Sequence, residues 1–322
     1  MTRDLSFALY TKLYMVRRAE EYIIKHYPED EMKTPMHMSM GQEAIPVGIC
    51  HALGLTNQIF ASYRSHAAFL AKTEDLTRFF AELYGRDWGT AQGKAGSMHL
   101  AAPDQGHMCS SAIVASAIPV AVGAAFAQKQ KGQGGIACVF FGDGALDEGV
   151  FWESLNMACV MQLPVVFVCE DNGFAVHTPT HARQGYKAIT DVVRHFACTV
   201  FQERTADVEI IYQLAQNSLE AIKLTAKPVF LHLHCYRYLE HVGIYEDFDV
   251  GYRAKATFEE WYEGDCIALQ RRRLLEWGYP EAEIRQAELG LDAQIERSIS
   301  VAKAAPFPQP ADLYRGVFHE KN

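Results

Sequence analysis

Gly142-Asp143-Gly144 closes an apolar run, CVFF at 138–141, and precedes a stretch with helical spacing. In an open α/β sheet, ligands collect at the carboxyl ends of strands, and the free N–H groups at a helix start favour phosphate. Glycine on each side lets the backbone approach a bulky anion. A carboxylate there repels phosphate unless a divalent cation lies between them. Asp143 therefore points to Mg²⁺, which takes oxygen ligands and shares them with substrate phosphates. Alone, the tripeptide reads more readily as a strand-to-helix turn with an aspartate near the N-cap. The next strand changes that reading. It ends in EDNGFAVHT (170–178), with Asn172 thirty positions after Gly142. Parallel neighbours joined by a right-handed crossover bring their carboxyl ends together, so Asp143 and Asn172 reach one cation. The turn at Gly173 offers a carbonyl as a third ligand.

The elements that must hold these residues alternate. Helical spacing covers 5–27, 41–53 and 76–84, and 85–111 is loop-like, rich in Gly, Ser and His. Residues 114–130 form a small-residue helix, 135–141 a buried strand, and 146–162 a helix with Phe151, Leu155 and Ala158 on one face. A second buried strand spans 163–171, then a helix 208–226 and a strand 228–238. Two apolar strands joined by one crossover helix predict an α/β fold: a parallel sheet covered by helices on both faces. In the tail, Thr257 with Glu260 predicts a capping box for a helix ending near Gly278, and Pro280 opens a last helical stretch before PFPQP (306–310). The expected division is an α/β domain over 1–255 and a helical C-terminal extension over 256–322.

A net charge of −9 over 322 residues argues against nucleic acid as the main partner. No uninterrupted apolar run suits a bilayer, and the start carries no secretory pattern, so no membrane partner and a cytoplasmic location are expected. RRR at 271–273 reads as a solvated helix face. The eight cysteines form no CxxC pair and lie mostly in apolar segments, as reduced core cysteines do. His232 and His234 share a strand face, but with no further ligand in view a metal there is not expected.

GDG followed about thirty residues later by Asn at the end of the next strand is the thiamine diphosphate fingerprint. The chain resembles, over nearly its whole length, the alpha subunits of the decarboxylating component of 2-oxo acid dehydrogenase complexes of the pyruvate, branched-chain and acetoin types. MHMSMGQEAIPVG (36–48), ASYRSHA (61–67), GKAGSMH (93–99), IVASAIPVAVGAA (113–125), GDGALDEGVFWESLNMA (142–158), VCEDNGFAVHTP (169–179) and YRY (236–238) occur in the family's order. The resemblance implies a thiamine diphosphate-binding fold, with Mg²⁺ held by Asp143, Asn172 and the Phe174 carbonyl, and with Gly144 and Ala145 backbone near the diphosphate. Tyr63 and Arg64 would bind the diphosphate from another loop. Backbone at Ala112 and Val114 would meet the aminopyrimidine, with the Val114 side chain wedging the cofactor into a bent form. His37 and His241 would be the active-site histidines, with His66 nearby; His99, His177 and His181 read as ordinary polar contacts.

The resemblance further implies a beta subunit that supplies the carboxylate activating the pyrimidine, in an assembly of two alpha and two beta chains, and a lipoyl-bearing acyltransferase as acceptor. Leu239-Glu240 stands where the family usually has His-Gly, and Val242 replaces the regulatory serine of mitochondrial enzymes, which excludes that phosphorylation. Glu240 is expected at the substrate entrance. Two catalytic readings stay open. One is cleavage of a small-molecule 2-oxo acid or acyloin with acyl transfer to lipoamide; the other is non-oxidative carboligation in a biosynthetic pathway. A regulatory nucleotide-binding protein leaves Asp143, Asn172, Tyr63, Arg64 and His241 without a joint reason.

Overall fold

The structure is a computed structural model describing residues 1–132 and 134–315. Its strands are β1 (Gln58–Ser62), β2 (His107–Ser111), β3 (Ala137–Gly142), β4 (Val165–Asp171), β5 (Phe174–Ala175), β6 (Thr178–Pro179), β7 (Thr199–Arg204) and β8 (Val229–His234). Six of them make one sheet in the order β2-β1-β3-β4-β8-β7, with every pairing parallel; β5 and β6 form a separate antiparallel pair.

Alternation along the strands fixes the layers. In β3, Cys138 and Phe140 join one buried cluster, while Ala137, Val139 and Phe141 join the other. Helices α1 (Arg3–His26), α2 (Ala44–Leu53), α3 (His66–Thr73) and α4 (Leu76–Leu83) cover the first face. Helices α5 (Ala117–Lys131), α6 (Gly149–Val160) and α7 (Ile189–Val193) cover the second, and α8 (Val208–Thr225) returns to the first. This is the predicted parallel sheet with helices on both faces, and β3 and β4 pair as expected, from Ala137 opposite Val165 to Gly142 opposite Glu170.

Three sheet strands lie outside the sequence expectations. β1 offers only three apolar residues, β2 closes the stretch read as loop, and β7 is a half-exposed edge strand. The strand expected over 228–238 stops at His234, where the chain leaves the sheet.

The tail departs in detail. One predicted helix is two, α9 (Lys255–Glu263) and α10 (Cys266–Glu276), because Asp265 caps the second, accepting from the N–H groups of Ile267 (3.0 Å) and Ala268 (3.2 Å). The N-cap of α9 is Ala254 with no side-chain bond, so the Thr257–Glu260 box does not form; Glu260 pairs with Arg204. α11 (Glu281–Ala304) follows Pro280 as expected. It lies along α1, where Tyr22 Oη donates to Glu296 at 2.8 Å and Arg18 Nε to Asp292 at 2.9 Å. Ile295, Ile299 and Ala302 enter the same cluster as α1 to α4. Residues 316–322 of the expected extension lie outside the described residues. The basic run is not simply solvated: Arg273 grips Asp207 through two bonds of 2.8 and 2.6 Å, and Arg271 pairs with Glu281 and Glu288. All eight cysteines are free and none is fully exposed.

Candidate active site

The site grows from the carboxyl ends of the central strands. β1 ends at Ser62 and releases Tyr63 and Arg64; β3 ends at Gly142 and releases Asp143; β4 ends at Asp171 and releases Asn172. β2 and β3 flank β1 on opposite sides, so the chain reverses its direction of travel across the sheet here. A crevice forms outside the strands at such a point. It encloses a cavity of about 300 Å³ lined by Tyr63, Arg64, Val114, Asp143, Gly144, Ala145, Asn172, Phe174 and His241.

Asp143 is 1% exposed. Its Oδ2 accepts from Arg183 and, at 3.3 Å, from Thr180 Oγ1, whereas Oδ1 has no partner. Burial, reinforced by the charge of Asp171 and opposed by Arg183, pushes its carboxyl up to about 6. An orphaned carboxylate oxygen in a buried site is what a hard cation would satisfy. Asn172 Oδ1 accepts from the Phe174 N–H at 3.2 Å, closing an Asx turn, and its Nδ2 donates to Gln42 at 3.2 Å. Asn172 and Phe174 both line the cavity.

Across the cavity, the partly buried Arg64 donates to the Met38 carbonyl at 2.7 Å and to the His241 carbonyl at 3.0 Å. Among the described residues no carboxylate forms an ion pair with it. Burial and neighbouring Arg237 hold its pKa down to about 10. Burial, reinforced by the Arg64 charge, brings the pKa of His241 down to about 4 and that of His37 to about 3, so both rings are neutral near pH 7.

Two expected residues stand outside the lining. His37 is buried behind it, its ring 4.7 Å from that of Tyr63 and 5.3 Å from that of His241. Ala112 lies just past β2 and does not face the cavity, although Val114 does. Ala115 follows at φ +62°, a left-handed conformation that turns the chain into α5. His66 is wholly buried between Glu20 (2.9 Å) and Ser97 (2.6 Å), with Glu20 also gripping the Ser39 N–H; it anchors the 37–43 loop. His99, His177 and His181 are exposed.

Sequence reasoning missed Gln42 and Glu170, both buried and both on the lining. Burial pushes the Glu170 carboxyl up to about 8 against the pull of Arg64. The signal was present: a carboxylate closing an otherwise apolar strand is out of place unless it faces a site. Glu240 corrects an expectation. Its carboxylate turns onto its own loop, accepting from the Tyr245 N–H at 3.1 Å, and is not among the cavity-lining groups.

Residues 11–311 match the family described as the dehydrogenase E1 component. The chain is 30% identical over 320 residues to the acetoin:2,6-dichlorophenolindophenol oxidoreductase alpha subunit of Cupriavidus necator, covering 99% of this chain and 95% of that one. The Bacillus subtilis protein of the same description is 29% identical over 319 residues, covering 99% and 95%. The pyruvate dehydrogenase E1 alpha subunit of Zymomonas mobilis is 29% identical over 317 residues, covering 98% and 89%.

Proposed function

The chain belongs to the dehydrogenase E1 component family, and from that premise we propose that it is the alpha subunit of a thiamine diphosphate- and Mg²⁺-dependent enzyme. That enzyme cleaves a 2-oxo acid or acyloin and passes the acyl unit to a lipoyl carrier. One observation carries the reading. A guanidinium with no carboxylate partner among the described residues, Arg64, faces across one cavity a buried carboxylate with an unpartnered oxygen, Asp143. A site that awaits an anion on one wall and a cation on the other suits a metal-bridged diphosphate.

When bound, thiamine diphosphate supplies a carbon nucleophile and an electron sink beside the substrate carbonyl. The chain's residues do the rest. Asp143 Oδ1, Asn172 Oδ1 and the Phe174 carbonyl would hold the cation, Arg64 would offset the charge of the diphosphate with Tyr63 donating a hydrogen bond to it, and Val114 would pack against the cofactor rings. His241 accepts or returns a proton at the substrate, with His37 packed behind it. The activating carboxylate comes from a beta subunit, in a two-alpha, two-beta assembly. Exposed Ile113, Val114, Val120, Met157 and Val160, from the α5 and α6 side, give that subunit an apolar surface to cover. Among the described residues no helix is long and apolar enough to cross a membrane, and we place the enzyme in the cytoplasm.

Non-oxidative carboligation is the second reading. It rests on Leu239-Glu240 standing where the family usually has His-Gly.

Calorimetric titration with thiamine diphosphate and Mg²⁺ tests the site. Asp143→Ala and Asn172→Ala should each weaken binding at least about 100-fold in a folded protein, since each removes a ligand from the bridging ion. Unchanged affinity in both overturns the assignment. Co-expression with a beta subunit and a screen of 2-oxo acids with and without a lipoyl acceptor separates the two reactions.

A further inference from the structure

A second cavity, about 670 Å³, opens at the same edge of the sheet, outside the carboxyl ends of β4, β8 and β7. The chain passes from β4 to the outer β7 and returns to β8 between them, so this is a second place where the strand order reverses. At its floor three side chains converge. Asp171 is the last residue of β4, and His232 and His234 point to one face of β8 with a single residue between them. The register puts Asp171 directly opposite His234. His232 Nε2 lies 2.7 Å and His234 Nδ1 3.4 Å from the same oxygen, Asp171 Oδ2, and all three atoms fall within 4.8 Å of one another.

We propose that Asp171, His232 and His234 form a binding site for a divalent transition metal such as Zn²⁺ or Co²⁺, separate from the Asp143–Asn172 position. The donor set decides the class of ion: two imidazoles and one carboxylate suit the borderline first-row metals, whereas Mg²⁺ prefers oxygen throughout. Metal–ligand distances of about 2.0–2.2 Å place such donors roughly 3–3.5 Å apart, so the three need shift by no more than about an ångström.

One surrounding contact already aims a ligand as metal sites do. The other oxygen of Asp171, Oδ1, is fixed by the Gly173 N–H at 2.9 Å, which holds Oδ2 toward both imidazoles. Gln202, from β7, places its amide nitrogen 3.2 Å from the far nitrogen of His234, Nε2, while its amide oxygen accepts from Thr190 Oγ1 at 3.4 Å. With a cation on Nδ1, the His234 proton moves to Nε2, and the Gln202 amide must turn over, giving up Thr190, to present its oxygen to it. The His232 proton sits on Nδ1, which has no partner in the metal-free arrangement. Three protein ligands on one side leave the positions facing the cavity open, so the ion can hold water or a small oxygen-bearing ligand there.

The test uses the full chain without an affinity tag, stripped with chelator and then titrated with Zn²⁺ by equilibrium dialysis and with Co²⁺ by visible absorption. One equivalent per chain should bind, with the absorption of Co²⁺ in mixed nitrogen and oxygen coordination, unaffected by excess Mg²⁺. His232→Gln and His234→Gln should each weaken it by more than about tenfold. His234 is half-buried, so its variant should fold even if the His232 variant does not; thermal melts check both. Wild-type uptake no greater than that of His234→Gln, or displacement of Co²⁺ by Mg²⁺, overturns the proposal. Thiamine diphosphate titration of the same samples reports on the first site independently.

Discussion

Arg64 and His241 are joined through the backbone: the guanidinium donates to the His241 carbonyl at 3.0 Å, while the imidazole Nδ1 stands 3.5 Å from the same nitrogen. The anchor that Arg64 uses therefore survives loss of the ring. His241→Ala should lower turnover by about 10²–10⁴-fold, the usual weight of a proton-transfer group. Cofactor affinity should stay within about threefold, because that interaction is not made by the ring. Steady-state rates beside calorimetry measure the split, and equal losses in both would make the ring a binding group.

His107 provides a pH test remote from the cavity. Burial brings its pKa down to about 3, against an ordinary value near 6.5 in the unfolded chain. Between those values the unfolded state binds the extra proton, so this contribution to stability is complete above pH 6.5 and is lost as the pH falls. The urea midpoint of the wild type should drop more steeply from pH 7 to pH 5 than that of His107→Gln. Parallel curves would show that the ring titrates normally.

Glu240 separates charge from loop shape. Glu240→Gln keeps an acceptor for the Tyr245 N–H and should leave the preference among anionic and neutral substrates unchanged. Glu240→Gly removes the contact, frees a loop whose Gly243 already sits at φ +129°, and should raise KM more than it lowers kcat. A switch in preference with the Gln variant would restore a charge effect at the entrance.

The chain by itself should turn over little or no substrate and should recover activity with a beta subunit. Val120→Glu, at an exposed position on α5, should weaken that assembly without changing the melting temperature of the free chain. Sedimentation with and without the partner measures the first effect. Full activity of the isolated chain would place the activating carboxylate within it.

What the sequence revealed follows the range of the interactions involved. β3 is apolar to its closing glycine and β4 apolar up to its final Glu170 and Asp171, so with one helix between them both are plain to read, and the Asp143–Asn172 pair came with them. β1 is one of the central strands, yet its five residues carry too little pattern to stand out, and β7 hides behind partly polar alternation. Gln42 reaches the cavity only because the 37–43 loop is tied down by Glu20, a contact with no local signature. Asp171 and His234 illustrate the limit best. Each was visible alone, and only the β4–β8 register, set by strands far apart in the chain, makes them neighbours.

The ladder between α1 and α11 has a consequence for biosynthesis. Glu296 and Asp292 leave the ribosome 274 residues after their partners Tyr22 and Arg18. At translation rates of about 5–20 residues per second, the first helix waits on the order of tens of seconds for its partner. Until then the α1 surface that finally packs on α11 is open, and a chain terminated before α11 never closes it.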